Sequence, residues 1–186
     1  MTAITDLTSG VWNVDPVHSS IGFVARHLMV SKVRGGFTSF SGTITIAENP
    51  LESKVEATVD VTSTSTGDDT RDAHLKSPDF FDAEKYPTMT LASTGIEADG
   101  KDYVLRTDLT IKGITKPVDF ELEFDGVSGD PWGGTRAGFS AEAEVNRKDW
   151  GLEWNVVLET GGVMLGEKVK IQLDVEAVLQ VPAVTP

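Results

Sequence analysis

The chain has 186 residues, a formal net charge of −13 and no cysteine. Its length fits one domain with a core large enough to fold without cross-links, and the absence of thiols excludes disulfides and Cys-ligated zinc. The negative charge, with Lys and Arg scattered singly, argues against nucleic-acid binding and favours solubility. The sequence shows no secretory leader and no apolar run near the ~18 residues of a membrane helix, so we expect a cytoplasmic protein.

Most of the chain alternates apolar and polar residues with period two, which is typical of strands buried on one face. In chain order the alternating segments are residues 19–27, 35–46, 53–61, 88–94, 103–111, 117–124, 136–145 and 168–179. Turn residues such as Asn49-Pro50, Asp99-Gly100, Lys112-Gly113 and Gly161-Gly162 separate several of them. The pattern predicts an all-β fold of about eight strands, as a sandwich or a closed antiparallel barrel. A parallel sheet is disfavoured because its strands would be apolar on both faces.

Two segments lack this alternation. From Asp68 to Ser77 the acidic start and the basic Lys76 suit a short accessory helix, which Pro78 ends. Residues 154–165 form either a second helical turn or a long loop. We therefore expect one domain over residues 11–179, with a loose N-terminal segment over residues 1–10 and a loose tail over residues 180–186.

The predicted inward face of the strands carries unusually small residues. Ala137, Ala141 and Ala143 alternate along one strand, and Ala25 and Ala57 lie inward on two others. The larger inward residues are Phe23, Val55, Val59, Leu91, Leu105, Leu109, Phe120 and Phe124. A barrel of about eight strands is either filled by its own side chains or holds one small ligand. The alternation alone leaves both possibilities open, and a cavity with these walls would prefer an apolar ligand.

The polar residues give no complete catalytic or metal motif. The three histidines, His18, His27 and His74, lack metal-site spacing, and neither a nucleophile elbow nor a phosphate loop is present. His27 is either a core histidine or a polar contact at the barrel mouth. Arg71 lies three residues before His74 and would share one side of a helical turn with it.

Arg71 and Arg147 admit two interpretations. They either form ion pairs with Asp72 and Asp149 that hold loops at the rim, or they bind an anionic or polar head group.

Four ordered segments carry a recognisable pattern of residues. Residues 12–46 contain Trp, Asp-Pro, His-Ser, a second His, Gly-x-Phe and a later Gly, and residues 70–93 contain Arg-Asp-x-His-Leu, Phe-Phe-Asp and Tyr-Pro. Residues 109–118 read LTIKGITKPV and residues 145–155 read VNRKDWGLEWN. In this order, from about Trp12 to Val178, the chain resembles the YceI-like family of lipocalin-like, polyisoprenoid-binding proteins. It departs in lacking a visible secretion signal and in having Trp150 where Phe is usual, which would reshape one end of the pore.

The resemblance implies an extended antiparallel lipocalin-like barrel whose long apolar pore holds a polyprenyl chain or an isoprenoid quinone for storage, sequestration or transport. It implies no enzymatic activity and no cofactor other than the bound lipid. The implied partners are an apolar lipid, a membrane in transient contact and a second copy of the chain in a homodimer, but no nucleic acid. The alternative is an enzyme that acts on a lipid-like substrate at the mouth, with His27, His74 and Arg71 as its working groups.

Two sets of candidate site residues follow from this resemblance and from strand parity. The apolar pore is expected to include Phe23, Ala25, Phe37, Phe40, Val59, Phe80, Phe81, Leu91, Leu109, Phe120, Ala137, Phe139, Ala141, Trp150 and Trp154. The polar mouth is expected to include His27, Arg71, His74, Asn146 and Arg147. No metal ligand and no catalytic residue is assigned.

Overall fold

The computed structural model describes residues 4–181. Its strands are β1 (Gly10–Val14), β2 (Ser20–His27), β3 (Ser31–Phe37), β4 (Phe40–Ile46), β5 (Lys54–Asp60), β6 (Thr64–Ser65), β7 (Thr88–Asp99), β8 (Asp102–Ile111), β9 (Ile114–Gly129), β10 (Thr135–Asn146) and β11 (Leu165–Leu179). The single α-helix of these residues is α1 (Asp69–Lys76), and short 3-10 helices span Ile4–Asp6, Pro50–Glu52, Val61–Ser63 and Arg147–Trp150.

Eight of the strands close a barrel in the order β1-β4-β5-β7-β8-β9-β10-β11, with every neighbouring pair antiparallel. The first strand completes the ring because it pairs on both sides: Trp12 lies opposite Ile44 of β4 and opposite Leu179 of β11. The predicted all-β antiparallel barrel of about eight strands, with one short helix, is confirmed.

Three further strands extend the wall along the same edge of β11. Residues 165–174 of β11 pair with β2, which continues through β3 to β6. The segment over residues 35–46, predicted as one strand, is split into β3 and β4 at Thr38 and Ser39. The backbone of these two residues bonds instead to Ser63 and Asp60, so the chain changes partners at this point.

The two ends of the barrel differ. The end that we call the helix end carries α1, the β2–β3 and β8–β9 turns, and the loop from β10 to β11. The β8–β9 turn there is tight, with Lys112 and Gly113 at φ 52° and 73°, the left-handed values of a two-residue hairpin turn. The opposite end, the far end, carries the β7–β8 and β9–β10 turns.

The helix begins and ends where the sequence predicts. Asp68 is the N-cap, and its Oδ1 accepts a hydrogen bond of 2.8 Å from the Arg71 backbone N–H. At the other end Ser77 donates its backbone N–H to the His74 carbonyl, and Pro78 follows. The other non-alternating segment is a long loop, in which Val157 and Val163 form an isolated β-bridge and further backbone hydrogen bonds join its two sides.

The chain before β1 differs from the prediction of a loose segment over residues 1–10. In its described part Ile4 and Leu7 are each 7% exposed and belong to the main core cluster. Leu7 lies three residues and Ile4 six residues before β1, and a segment this short shows no periodic pattern that would predict their burial. Of the predicted loose tail, Gln180 donates its backbone N–H to Val11, and residues 182–186 lie outside the described residues.

Candidate binding cavity

The barrel encloses a cavity of about 600 Å³. All eight strands of the ring contribute apolar side chains to its wall, among them Val14, Ile44, Val59, Leu91, Leu105, Phe120, Phe139 and Ile171. This volume falls within the ~300–1,000 Å³ of typical ligand sites. A void of this size lined by aliphatic and aromatic groups is a poor place for water, which needs polar partners.

The small inward residues explain why the space is open. Ala25, Ala57 and Ala141 line the cavity, and a methyl group at each position leaves volume that a larger side chain would fill. On the adjoining wall, Phe23 lies over Gly35, where an added Cβ would come within 2.4 Å of the Phe23 ring. The glycine therefore leaves room for this ring to approach the β3 backbone closely.

Aromatic side chains line part of the helix end of the cavity. The imidazole of His74 packs edge-on against Phe80 and Trp154, with ring centroids 5.0 and 4.6 Å apart, and the last two rings lie 5.4 Å apart. We call these three residues the aromatic cap. Phe80 is only 5% exposed, so the cap is packed on the core and not merely laid over the opening.

Most of the sequence-predicted pore residues line this cavity. They are Phe23, Ala25, Phe37, Phe40, Val59, Phe80, Phe81, Leu91, Leu109, Phe120, Phe139, Ala141 and Trp154. The structure brings His27, Arg71, His74 and Arg147 of the predicted mouth to the same wall.

Three predicted residues lie elsewhere. Ala137 has the inward parity but packs at 1% exposure in the core outside the cavity. Trp150 is buried in the 3-10 helix that follows β10, and its Nε1 donates a 3.1 Å hydrogen bond to the Leu109 carbonyl, so it does not reshape the pore. Asn146 caps that same helix through a bond from the Lys148 N–H to its Oδ1.

Arg71 and Asp72 at the mouth do not form the ion pair that the sequence analysis considered; each bonds Thr66 instead. Arg71 donates from Nε to the Thr66 hydroxyl at 2.7 Å and from Nη2 to the Thr66 carbonyl at 3.0 Å. Asp72 instead accepts from the backbone N–H and the hydroxyl of Thr66. The ring of His27 has no hydrogen-bond partner within residues 4–181, although it lines the cavity.

Arg147 is a buried cation, 5% exposed. Its guanidinium donates to the carbonyls of Gly166, Leu152 and Leu165, and no bond to Asp149 forms within the described chain. Burial lowers the pKa of Arg147 from its usual value, while the charge of Glu167 works in the opposite direction. The guanidinium N–H groups of Arg147 thus hold the loop between β10 and β11, and the main role of this residue is structural.

His74 has a carboxylate partner. Its Nε2 lies 2.9 Å from Oδ2 of Asp79, in the segment after α1. A histidine whose ring is oriented by a carboxylate is the usual general base of a catalytic site, where its other ring nitrogen faces the group to be deprotonated. Within residues 4–181 no hydroxyl completes the arrangement at its other ring nitrogen, so the pair orients the imidazole in the aromatic cap.

Several wall residues were not predicted. The far end of the cavity is lined by Ile4, Ile44, Ile46 and Pro50, and the β11 side by Ile171, Leu173 and Val175. Strand parity would have found those on β4 and β11, since they alternate with polar residues. Ile4 has no such signal because it lies before the first strand.

One group of potential metal ligands lies outside the barrel. Donor atoms of Asp15, His18 and Glu176 come within 4.8 Å of one another. The guanidinium of Arg136 contacts Asp15 at 2.8 Å and Glu176 at 2.5 Å, and it also bonds Asp130 at 3.1 Å. The position that a cation would take between these carboxylates is therefore held by an arginine.

Comparison with known proteins gives consistent results. The YceI-like domain model matches residues 12–177. Protein YceI of Escherichia coli (strain UMN026) is 40% identical over 164 residues, 88% of this chain and 83% of that protein. UPF0312 protein SAB2563 of Staphylococcus aureus is 40% identical over 164 residues, which cover 87% of this chain and 94% of that protein.

Solved structures share the barrel. The YCEI protein of Campylobacter jejuni superposes with a TM-score of 0.72 at 30% identity, over 84% of this chain and 90% of that one. A structure described as a polyisoprenoid binding domain from Saccharophagus degradans superposes with a TM-score of 0.68 at 17% identity, over 93% of this chain and all of that one, and this likeness shows the fold. Within residues 4–181 no helix is long and apolar enough to cross a membrane. The matched span reaches into every strand of the ring, and the chain belongs to the YceI-like family.

Proposed function

We propose that the protein binds a long isoprenoid lipid, a polyprenyl chain or an isoprenoid quinone, inside its barrel for storage, sequestration or transport. The observation that carries the proposal is the 600 Å³ cavity with walls of aliphatic and aromatic side chains. A related fold described as a polyisoprenoid binding domain supports the same ligand class. The proposed activity is binding and release, without a chemical step, and no cofactor besides the lipid takes part.

The cavity volume sets a scale for the ligand. At the ~30 Å³ that one water occupies in the liquid, 600 Å³ takes about 20 non-hydrogen atoms, which corresponds to about four isoprene units. At ~0.8 kcal/mol per buried CH₂, four units supply about 16 kcal/mol before the ordering cost of association, which is about 4–15 kcal/mol. Affinity therefore needs few polar contacts, and a longer chain would extend beyond the wall at the helix end.

The polar residues favour one orientation of the lipid. His27, Arg71 and Arg147 are all near the helix end, whereas the far end is lined by apolar residues such as Ile4 and Ile46. We infer that the tail points to the far end and the head group to the helix end. His27, whose ring is unpartnered within the described chain, and Arg71, held in place by Thr66, are the proposed head-group contacts.

The alternative is an enzyme that acts on a lipid-like substrate at the same mouth. The pair of His74 and Asp79, 2.9 Å apart, is the observation that favours it, because such a pair orients an imidazole as a base. A His74→Ala variant that still holds lipid but no longer converts it would support this alternative. A variant that loses lipid retention without any change in the lipid itself would support binding alone.

Purification followed by native mass spectrometry tests the proposal directly. The full chain should carry a bound mass that denaturation releases, and organic extraction should yield an isoprenoid of at least about four units. A protein that is lipid-free after gentle purification and that binds no added polyprenol or quinone would refute it. Cytoplasmic location and homodimer formation stay predictions, and size-exclusion chromatography with light scattering checks the second.

A further inference from the structure

The turn between β2 and β3 has apolar residues where hairpins normally have none. Leu28 and Met29 have φ of 50° and 62°, and the Val30 N–H donates to the His27 carbonyl at 3.2 Å. These are the features of a type I′ turn, which strongly favours Asn-Gly at its two central positions. Non-glycine residues in this region are strained, yet Leu28, Met29 and Val30 are 38%, 56% and 83% exposed, so packing within the chain does not explain them.

A second exposed apolar pair lies beside this turn. Val156 and Val157, in the loop between β10 and β11, are 40% and 80% exposed. One backbone hydrogen bond joins the two loops, from the Leu28 N–H to the Met164 carbonyl at 2.7 Å, and within the second loop the Met164 N–H donates to the Val156 carbonyl at 2.9 Å. We call Leu28, Met29, Val30, Val156 and Val157 the apolar rim. Exposed apolar residues clustered in this way are typical of an interaction site.

The rim stands directly beside the cavity. His27, next to the turn, and Met164, which bonds both loops, line the cavity wall. Whatever covers the rim therefore also faces the end of the barrel where the proposed head-group contacts lie.

Three cations flank the rim on the outer face of the same hairpin. Arg26 lies opposite Lys32 across the hairpin, and Arg34 is two residues further along β3. All three are exposed, and no carboxylate within residues 4–181 pairs with them. The chain has a net charge of −13, yet it contains no Asp or Glu between Asp15 and Glu48.

Acidic residues at the helix end lie on other elements, around α1 with the exposed Asp68, Asp69 and Asp79 and on the second loop. Glu153 and Glu159 are exposed there, and Glu167 is paired with Lys148. The hairpin itself is purely basic around an apolar tip. Apolar side chains that enter the acyl boundary, with Lys and Arg beside them for the head groups, are the chemistry of an interfacial membrane anchor.

We propose that the apolar rim and the cations Arg26, Lys32 and Arg34 dock the protein on an anionic lipid surface, with the helix end of the barrel facing the bilayer. The inference rests on the proposed function, since it gives the lipid a route between membrane and cavity. Docking by this surface is separate from filling the cavity, and each is measured on its own.

Flotation of the full chain with vesicles tests the docking. Wild type should float with vesicles of two parts phosphatidylcholine to one part phosphatidylglycerol at low salt, and not with phosphatidylcholine alone. Replacing Arg26, Lys32 and Arg34 by Gln should weaken partitioning on the order of 100-fold, at about 5-fold for each cation. Raising the ionic strength to ~0.15 M should weaken wild type far more than this variant, because the Debye length falls to ~8 Å.

The apolar tip has a variant that separates docking from folding. Leu28→Asn combined with Met29→Gly creates the preferred type I′ sequence, so the hairpin should be at least as stable, while partitioning falls about ten-fold or more. The matched controls lie away from the helix end: Trp132→Ser, which removes an 85% exposed side chain, and Gln at Lys54, Lys101 and Arg106. Both controls should partition like wild type.

Each outcome has a distinct meaning. The docking proposal is overturned if wild type does not float with anionic vesicles, which is also the result expected if the rim binds an acidic protein instead. It is equally overturned if wild type and both hairpin variants float to the same extent. Bound lipid is measured in the same preparations by native mass spectrometry. A protein that carries no lipid and binds no added polyprenol or quinone, but still floats, refutes the proposed function and keeps the docking. A lipid-filled protein that never floats does the reverse.

Discussion

Replacing Ala141 by phenylalanine should fill part of the cavity and weaken lipid binding without harming the fold. Ala141 lies on β10, is 6% exposed and lines the cavity. Its cross-strand neighbours are Leu173 and Leu122. Because the methyl group faces open volume, an added ring has space that a packed core would not offer.

The magnitude follows from the volume that the ring takes. The substitution adds six carbon atoms, or about 180 Å³ at ~30 Å³ each, which is roughly a third of the 600 Å³ cavity. A lipid that gives up six buried carbons loses at most about 5 kcal/mol at ~0.8 kcal/mol each. That limit corresponds to more than a thousand-fold in affinity, and extension of the chain past the helix end recovers part of it. We expect at least a ten-fold rise in Kd.

The assay is titration of delipidated protein with a polyprenol, followed by the fluorescence of Trp154, which lines the cavity. Ala137→Phe is the matched control on the same strand and face. Ala137 is 1% exposed, lies opposite the fully buried Ala177 and is outside the cavity. Overpacking there should cost about 1–3 kcal/mol or more of unfolding free energy, whereas Ala141→Phe should leave this free energy unchanged or raise it. Equal destabilisation by the two substitutions, with unchanged polyprenol affinity, would refute an open cavity at Ala141.

Three further predictions concern residues around the cavity. Arg147→Met leaves three carbonyls without their donor, and it should lower the free energy of unfolding in urea by about 3 kcal/mol. Trp150→Phe loses the bond to the Leu109 carbonyl, which should cost about 1 kcal/mol and leave the polyprenol affinity unchanged. Hydrogen bonds from His18 and then Arg136 hold the pKa of Asp15 well below its usual range. Since its unfolded pKa is about 3.9, Asp15 stabilises the fold above about pH 4, and this contribution is lost as the pH falls further. Asp15→Asn should therefore be less stable than wild type at neutral pH and approach it in acid.

Each of these results has a clear opposite. Wild-type stability of Arg147→Met would mean that water replaces the guanidinium at the loop carbonyls. A weaker affinity for polyprenol in Trp150→Phe would place that indole in the cavity wall after all. A difference between wild type and Asp15→Asn that stays constant with pH would show that the carboxylate charge of Asp15 contributes nothing.

Strand parity predicted most of the fold because one side of each barrel strand is buried. Along β10 the sequence placed Ala137, Phe139, Ala141 and Ala143 on one face, and all four are buried. The same pattern carries no information on strand partners, so it predicts one strand over residues 35–46 although the chain changes neighbours at Thr38.

Parity also gives the face of a residue but not its depth along the barrel axis. Ala137 and Ala141 are alike in sequence, yet only Ala141 borders the cavity. Because Trp150 follows a barrel strand in sequence, the sequence predicts it in the pore. The 3-10 helix instead turns its indole into the core. The sequence does not predict the turn at Leu28 and Met29, because apolar residues at this position are as typical of a continuing strand as of a turn.

The closure of the ring by β1 and β11 has a consequence for when the cavity exists. Trp12 pairs with Leu179, so β11, the last strand of the barrel in chain order, completes the wall beside the first. Contacts this distant in sequence make folding slow, because a long loop must close before they form. A nascent chain that lacks β11 therefore has no enclosed cavity, and a ligand can be enclosed only after this strand has been synthesised. Truncation before β11 should abolish the cavity, whichever residues of the wall are kept.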